Sequence, residues 1–234
     1  MADGMMCQVH GEGVQALEIE IPAGQSLLAA GGCRVLEAAE CVATALTQPD
    51  HRDGGGIADS VLDTLKTSFL PIKQLVLCLR NTGPSVSTVI LAPEAFSQLV
   101  RIDLGPLGPS GLIYRKRGFF CAGVAGIQIA GWKSLAGESF KKINGAGFCF
   151  LAGGGLVLRR ELRSEQARVL CDSLLAFTGG LDIRTRPAVS VKKIMNLFKN
   201  DYITLSGTGS YYLQAFAGQK PGPAPQAVAT NPAR

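Results

Sequence analysis

The sequence predicts an all-β protein: a β-sandwich of three related units in pseudo-threefold arrangement, with two short helices between strands. Three observations lead there. First, one pattern recurs three times. Apolar, β-patterned stretches open at Val14, Leu99 and Gly155, and each unit closes on a second segment, LCLRNTGPSVSTVILA, FKKINGAGFCFLAGG or YITLSGTGSYYLQAFAG. Second, Gly83, Gly145 and Gly207 hold the same place in the closing segments, 62 residues apart. A fixed period of this kind marks a fold built from copies of one supersecondary unit. Third, glycine contributes 29 of 234 residues, well above the ordinary share of about 7%. These glycines end β-patterned runs, where turns and bulges need positive φ.

Taken in order, residues 1–7 form an N-terminal extension ahead of one domain over 8–218, divided at about 8–97, 98–154 and 155–218. Leu17, Ile19 and Ile21 alternate with Glu18 and Glu20, the period of a half-buried strand that Pro22-Ala-Gly24 ends as a turn. Ile57, Val61, Leu65 and Phe69 step by four, with Asp59 and Asp63 early, Lys66 late and Pro71 as a stop, which predicts the first helix. Val100, Ile102 and Leu104 repeat the alternating pattern before Gly105-Pro106. In the second unit the helical insert shortens to Lys133–Gly137. Asn144-Gly145 and Gly207-Thr-Gly209 read as hairpin turns. Leu181 and Ile183 give a further strand, and Val191, Ile194, Met195 and Phe198 behind Ser190 predict the second helix. The Pro/Ala-rich tail 219–234 lacks any apolar pattern and reads as disordered, and 47–56 reads as a mobile loop.

Hydrophobic residues make up 47% of the chain and charged ones 18%, and mean hydropathy is +0.22. That balance fits a well-filled core, or a smaller core plus an apolar oligomer interface. Charge is unevenly placed: residues 1–100 carry five Lys/Arg against eleven Asp/Glu, and residues 101–200 carry sixteen against six. Such asymmetry suits head-to-tail self-association or an anionic partner for the basic part. The seven cysteines include no CxxC and several sit within apolar runs, as buried free thiols do. The uncharged stretches 118–132 and 143–158 are shorter than the roughly 20 residues of a membrane-spanning helix, and glycines break them. The start, MADGMMCQVHGEG, lacks the basic region of a signal peptide and the arginines of a mitochondrial presequence.

No catalytic set emerges. His10 and His51 are the two histidines, and neither joins a cluster with metal-ligand spacing. GxSxG, a Walker loop and a full GxGxxG are all missing. The chain therefore reads as a non-enzyme without cofactor or metal. The basic residues Arg115, Lys116, Arg117, Lys141, Lys142, Arg159, Arg160 and Arg163, with Arg168 beside them, are the candidate contacts for an anionic partner. Related positions in the three units would gather them at one end, a surface for phospholipid head groups or nucleic acid phosphates. The competing reading is that they solvate edge strands. Aromatics do not interleave with them, so nucleic acid is the weaker partner.

Leu17-Glu-Ile-Glu-Ile-Pro-Ala-Gly24, Arg117-Gly-Phe-Phe-Cys-Ala122, Gly137-Glu-Ser-Phe140 through Gly145-Ala-Gly-Phe-Cys-Phe-Leu-Ala-Gly-Gly154, and Leu205-Ser-Gly-Thr-Gly-Ser-Tyr-Tyr-Leu-Gln214 occur in this order. Over residues 8–218 the chain thereby resembles the altered-inheritance-of-mitochondria protein 24 family. The resemblance implies a β-sandwich of the tryptophan RNA-binding attenuator-like type with three related units and no established enzymatic activity. It also implies a mitochondrial setting linked to inner-membrane organisation, with a cytoplasmic location as the alternative. The sequence departs from that pattern in its many cysteines, its exposed-looking N-terminus, and Arg80-Asn-Thr-Gly-Pro-Ser in place of a compact G-x-G. The expectation that follows is a scaffold or assembly subunit working through contacts with other proteins or itself, at or near a membrane. The alternative is a binding module for an anionic ligand. A third reading, an enzyme with its site between units, has no residues to name.

Overall fold

A computed structural model of the protein describes residues 4–47, 76–123, 127–135, 137–185 and 202–216. The two expected helices, the loop around His51 and the tail 219–234 lie outside the described residues.

Among the described residues, seventeen strands carry the architecture. β1 (Cys7–His10), β2 (Ala16–Ile21), β3 (Ser26–Ala30), β4 (Arg34–Ala38), β5 (Val42–Thr47), β6 (Val76–Asn81) and β7 (Ser87–Ala92) come first. β8 (Ser97–Asp103), β9 (Leu112–Arg115), β10 (Phe119–Gly123), β11 (Gln128–Leu135), β12 (Glu138–Asn144) and β13 (Phe148–Gly154) follow. The last are β14 (Val157–Leu170), β15 (Leu174–Thr178), β16 (Leu181–Thr185) and β17 (Tyr202–Gln214). They form three antiparallel sheets: an outer sheet β1-β2-β7-β4, a central sheet β5-β6-β3-β10-β13-β8, and a far sheet β11-β12-β9-β15-β17-β14 with β16 also on β17.

Alternation in the sequence decides which face each outer strand buries. In β2, Leu17, Ile19 and Ile21 are fully buried while the glutamates between them are half-buried. The strand ends at the expected turn, where Gln25 N–H donates to the Pro22 carbonyl at 3.1 Å and Gly24 takes φ +74°. The central strands lack alternation because both of their faces are covered. Phe119–Gly123 is buried throughout, as is Phe148–Leu151. Phe120, Phe148 and Phe150 pack with Leu17, Ile19 and Val89 between the outer and central sheets. Phe119, Ala122, Cys149 and Leu151 pack with Tyr114, Leu175 and Tyr212 between the central and far sheets. A third core, built on Phe140, Phe177, Leu174 and Leu205 with Trp132 edge-on, lies on the other face of the far sheet. Met5 is buried in the first core and β1 pairs with β2, while Met6, Gln8, Val9 and His10 are exposed.

One order of pairing recurs along the chain. β2 and β4 flank β7, while β3 and β5 flank β6. β8 and β10 flank β13, while β9 and β11 flank β12. The first half of β14 and β15 flank the C-terminal half of β17, while the second half of β14 and β16 flank its N-terminal half. Gln15, just before β2, and Gln98, near the start of β8, also act alike. Each side-chain carbonyl accepts a backbone N–H of the next group, from Leu99 and Val157, both at 2.6 Å.

Three expectations are corrected. Asn144-Gly145 is not a hairpin turn, because β12 lies in the far sheet and β13 in the central one. Gly207-Thr-Gly209 is not a turn either; it lies inside the 13-residue β17. There Gly207 takes φ +112°, opposite a bulge in β14 where Ser164 takes φ +64°. Lys133–Leu135 is the end of β11 and Gly137 takes φ +83° just ahead of β12, so these residues are not a reduced helical insert. Glycine marked the corner at Gly145 but not at Gly207, and which layer the chain enters after a corner depends on burial beyond it.

Candidate interaction surfaces

Arg115 is not available to a partner. It ends β9 and is only 5% exposed. Its Nε donates to the Leu174 carbonyl at 3.1 Å, its Nη2 donates to the Cys171 carbonyl, and its Nη1 lies 3.3 Å from the Glu138 carboxylate. The Phe140 ring stands 5.8 Å from its guanidinium carbon. This side chain ties β9, β12 and the turn before β15 together. A buried guanidinium needs this full set of partners, because leaving the charge unpaired in a low dielectric costs several kcal/mol.

The remaining basic residues are spread over the far sheet instead of gathering at one end. Lys116 and Arg117 occupy the short 3-10 turn after β9, with Arg117 exposed. Lys141, Tyr114, Ala176, Tyr212 and Arg159 stand in one cross-strand row. Lys142, Ile113, Phe177, Tyr211 and Arg160 form the next. Each row begins and ends on a cation with buried apolar side chains between, and four strand spacings separate its ends by about 19 Å. Arg159 Nη2 pairs with Glu161 at 3.1 Å, and Arg163 lies 3.7 Å from the same carboxylate. Arg168 stacks on Tyr202 at 4.6 Å. β14 is an edge of its sheet, and its alternating charges suit an edge that must not pair further.

Reactive chemistry finds no focus among the described residues. No group of three or more His, Cys, Asp or Glu is arranged to hold a metal ion. Burial pushes the Cys7 and Cys33 thiols up to about 11, and raises Cys121 and Cys149 further. These thiols stay protonated and are poor nucleophiles at neutral pH. The open groove lined by Gly108, Pro109, Gln128, Asn144 and Gly145 carries no titratable side chain. No helix among the described residues is long and apolar enough to cross a membrane.

A different surface was missed in the sequence. Phe96, Leu156 and Phe216 are 77%, 56% and 70% exposed, and all three border the Gly154-Gly155 pair. Ser97, next to Phe96, forms a parallel bridge with Gly155. Phe216 N–H donates to the Gly154 carbonyl at 3.0 Å, and Ala215 N–H donates to the Leu156 carbonyl at 2.9 Å. The Phe216 ring lies over Gly155, where an added Cβ would come within 2.5 Å of it. Val14, 63% exposed, stands beside Gln15, which reaches Leu99. Two phenylalanines and a leucine exposed at positions around one backbone pair exceed the scattered apolar residues of an ordinary surface. The signal in the sequence was present but weak: Val14, Phe96 and Leu156 each stand just ahead of a unit's first strand.

Comparison with known proteins completes the description. The family model for mitochondrial biogenesis AIM24 matches residues 7–216. Among solved structures, the chain is similar to the crystal structure of a protein from Streptococcus pyogenes, with a TM-score of 0.68 at 16% sequence identity. That similarity covers 91% of this chain and 94% of the other, and it concerns the fold. No curated protein matches the sequence significantly.

Proposed function

We propose, from the premise that the chain belongs to the mitochondrial biogenesis AIM24 family, that it is a non-enzymatic scaffold or assembly subunit. It acts through protein contacts in a membrane-associated assembly of the mitochondrion. The family's name gives a role in mitochondrial biogenesis; the mechanism is our inference. One observation carries it: the exposed apolar residues Phe96, Leu156 and Phe216 around the Gly154-Gly155 corner. Aromatic side chains held on a rigid frame lose little entropy when a partner covers them, which makes them effective anchors.

The architecture belongs to the same proposal. We read one domain over 8–218 as three copies of a unit, about 8–97, 98–154 and 155–218, with 1–7 and 219–234 as extensions. The recurrent order of strand pairing and the matching Gln15 and Gln98 bonds support this reading.

The test is affinity capture of the tagged full chain from its own mitochondria. A defined set of co-purifying proteins is expected, and Phe96→Asp should deplete it. A protein that captures nothing, and binds no anionic vesicle, overturns the proposal. The exposed arginines of β14 support a second reading, a module for anionic head groups or, less well, nucleic acid phosphates. Arg159→Ala, Arg160→Ala and Arg163→Ala together should then abolish retention on anionic vesicles. Unchanged retention removes that site.

A further inference from the structure

The scaffold reading leaves open what covers the apolar end, and the charges around it point to an occupant. Glu94 precedes Phe96 by two residues, is exposed, and holds its carboxylate over Gly32 in the turn between β3 and β4. Glu12, also exposed, precedes Val14 by two. On the opposite side β14 leads away from Leu156 through Leu158, 42% exposed, to the exposed Arg159 and Arg160. The side toward the outer sheet therefore carries Glu12 and Glu94 with Arg34 beside them, and the side toward the far sheet carries Arg160 with Arg159 and Arg163 paired to Glu161. Each side leans to one sign, with the apolar cluster between them. An anionic bilayer would meet both signs at once and be repelled by the glutamates.

We propose that this end is a self-association face, on which a second copy of the chain docks about a two-fold axis through the apolar cluster. A two-fold rotation exchanges the two rims, so Glu94 of one copy meets Arg160 of the other and the reverse, while Phe96 and Phe216 stack against their counterparts. The apolar centre supplies affinity, and the paired rims set register and steer encounter. Aromatic areas of 150–250 Å² per side chain put the exposed apolar contribution on the order of 400 Å² per copy. Flanking polar residues bring such a contact to the scale of a standard interface of roughly 800 Å² per partner. The inference rests on the scaffold reading but names its own partner, the chain itself.

Sedimentation velocity of the full chain, over a range of concentrations and at low and high salt, tests it. The expected result is a reversible dimer that weakens as salt rises. Phe96→Asp should raise the dimer dissociation constant by about a hundredfold, the scale of a central anchor, with an unchanged melting temperature. Glu94→Arg alone and Arg160→Glu alone should each weaken the dimer. Mixing those two variants in equal amounts should restore it, because the mixed dimer has two complementary rims and each homodimer has none. A chain that stays monomeric at every concentration overturns the proposal, as does a dimer indifferent to Phe96→Asp. Failure of the mixture to recover overturns the two-fold arrangement. Flotation with vesicles of phosphatidylcholine and phosphatidylglycerol provides the rival outcome: binding lost in Phe96→Asp by a protein that never self-associates replaces the second copy with a membrane. A monomer that still captures partner proteins from mitochondria sinks the dimer and leaves the scaffold standing. A dimer that captures none does the reverse.

Discussion

At the scale of single residues, Arg115 shows how a charged run can mislead. Arg115-Lys116-Arg117 reads as a solvated cluster, yet the first member is buried against Glu138, two carbonyls and Phe140 while Arg117 is exposed. Residue type alone could not separate them; the strand end at Arg115 and the turn after it do. Arg115→Ala should therefore destabilise the fold by about 3–5 kcal/mol, the usual cost of orphaning a buried ionic partner. Chemical denaturation measures it, and Arg117→Ala should change stability by less than about 0.5 kcal/mol. The thiols give a second prediction. Cys7 and Cys33 titrate near 11 in the folded chain, against about 8.5 for an unburied cysteine. Above that ordinary value the unfolded chain loses protons that the folded chain keeps, so stability should fall as pH rises between about 9 and 11. Denaturant midpoints at neutral and alkaline pH should show the decline, and replacing both cysteines by alanine should reduce its slope.

At the scale of elements, legibility followed periodicity. β2 and β8 were readable because one face of each alternates with polar residues. β10 and β13 showed only unbroken apolar runs, since both faces are covered, and such runs do not announce which layer they enter. Gly145 was legible as a corner and misread as a hairpin, and Gly207 was misread as a turn. β6 and β7 part into different sheets, β12 and β13 do likewise, and the corresponding halves of β17 remain one strand. Gly207 permits that continuity: its φ is +112°, and a Cβ there would approach the Gly180 carbonyl at 3.1 Å. Gly207→Ala should cost about 1–3 kcal/mol, the strain of forcing an L side chain into this conformation. A fall in thermal midpoint with retained far-ultraviolet β signal is the expected record.

At the scale of the whole molecule, the first two groups of strands are joined through a shared sheet. β3 pairs with β10 across Ala29–Cys121 and Leu28–Ala122, so the central layer belongs to neither group alone. Amide exchange should be slowest in β3, β10 and β13, which lie under both outer layers, and fastest in β1 and β4 at the outer sheet's edges. Equal rates across the sheets would contradict this layering. The basic residues belong to the same scale: the sequence showed their number, but their distribution along two rows of the far sheet depends on register across five strands. The exposed apolar end also depends on distant segments, because Phe96, Leu156 and Phe216 meet only after folding.

The kink in β14 has one more effect. A 14-residue edge with unsatisfied amides would ordinarily recruit strand after strand into a growing fibril. Ser164, forced to φ +64° midway along it, breaks the straight run a newcomer would need, and the arginines and glutamates on either side repel or mismatch it. Straightening that edge would trade a finite particle for an open-ended polymer.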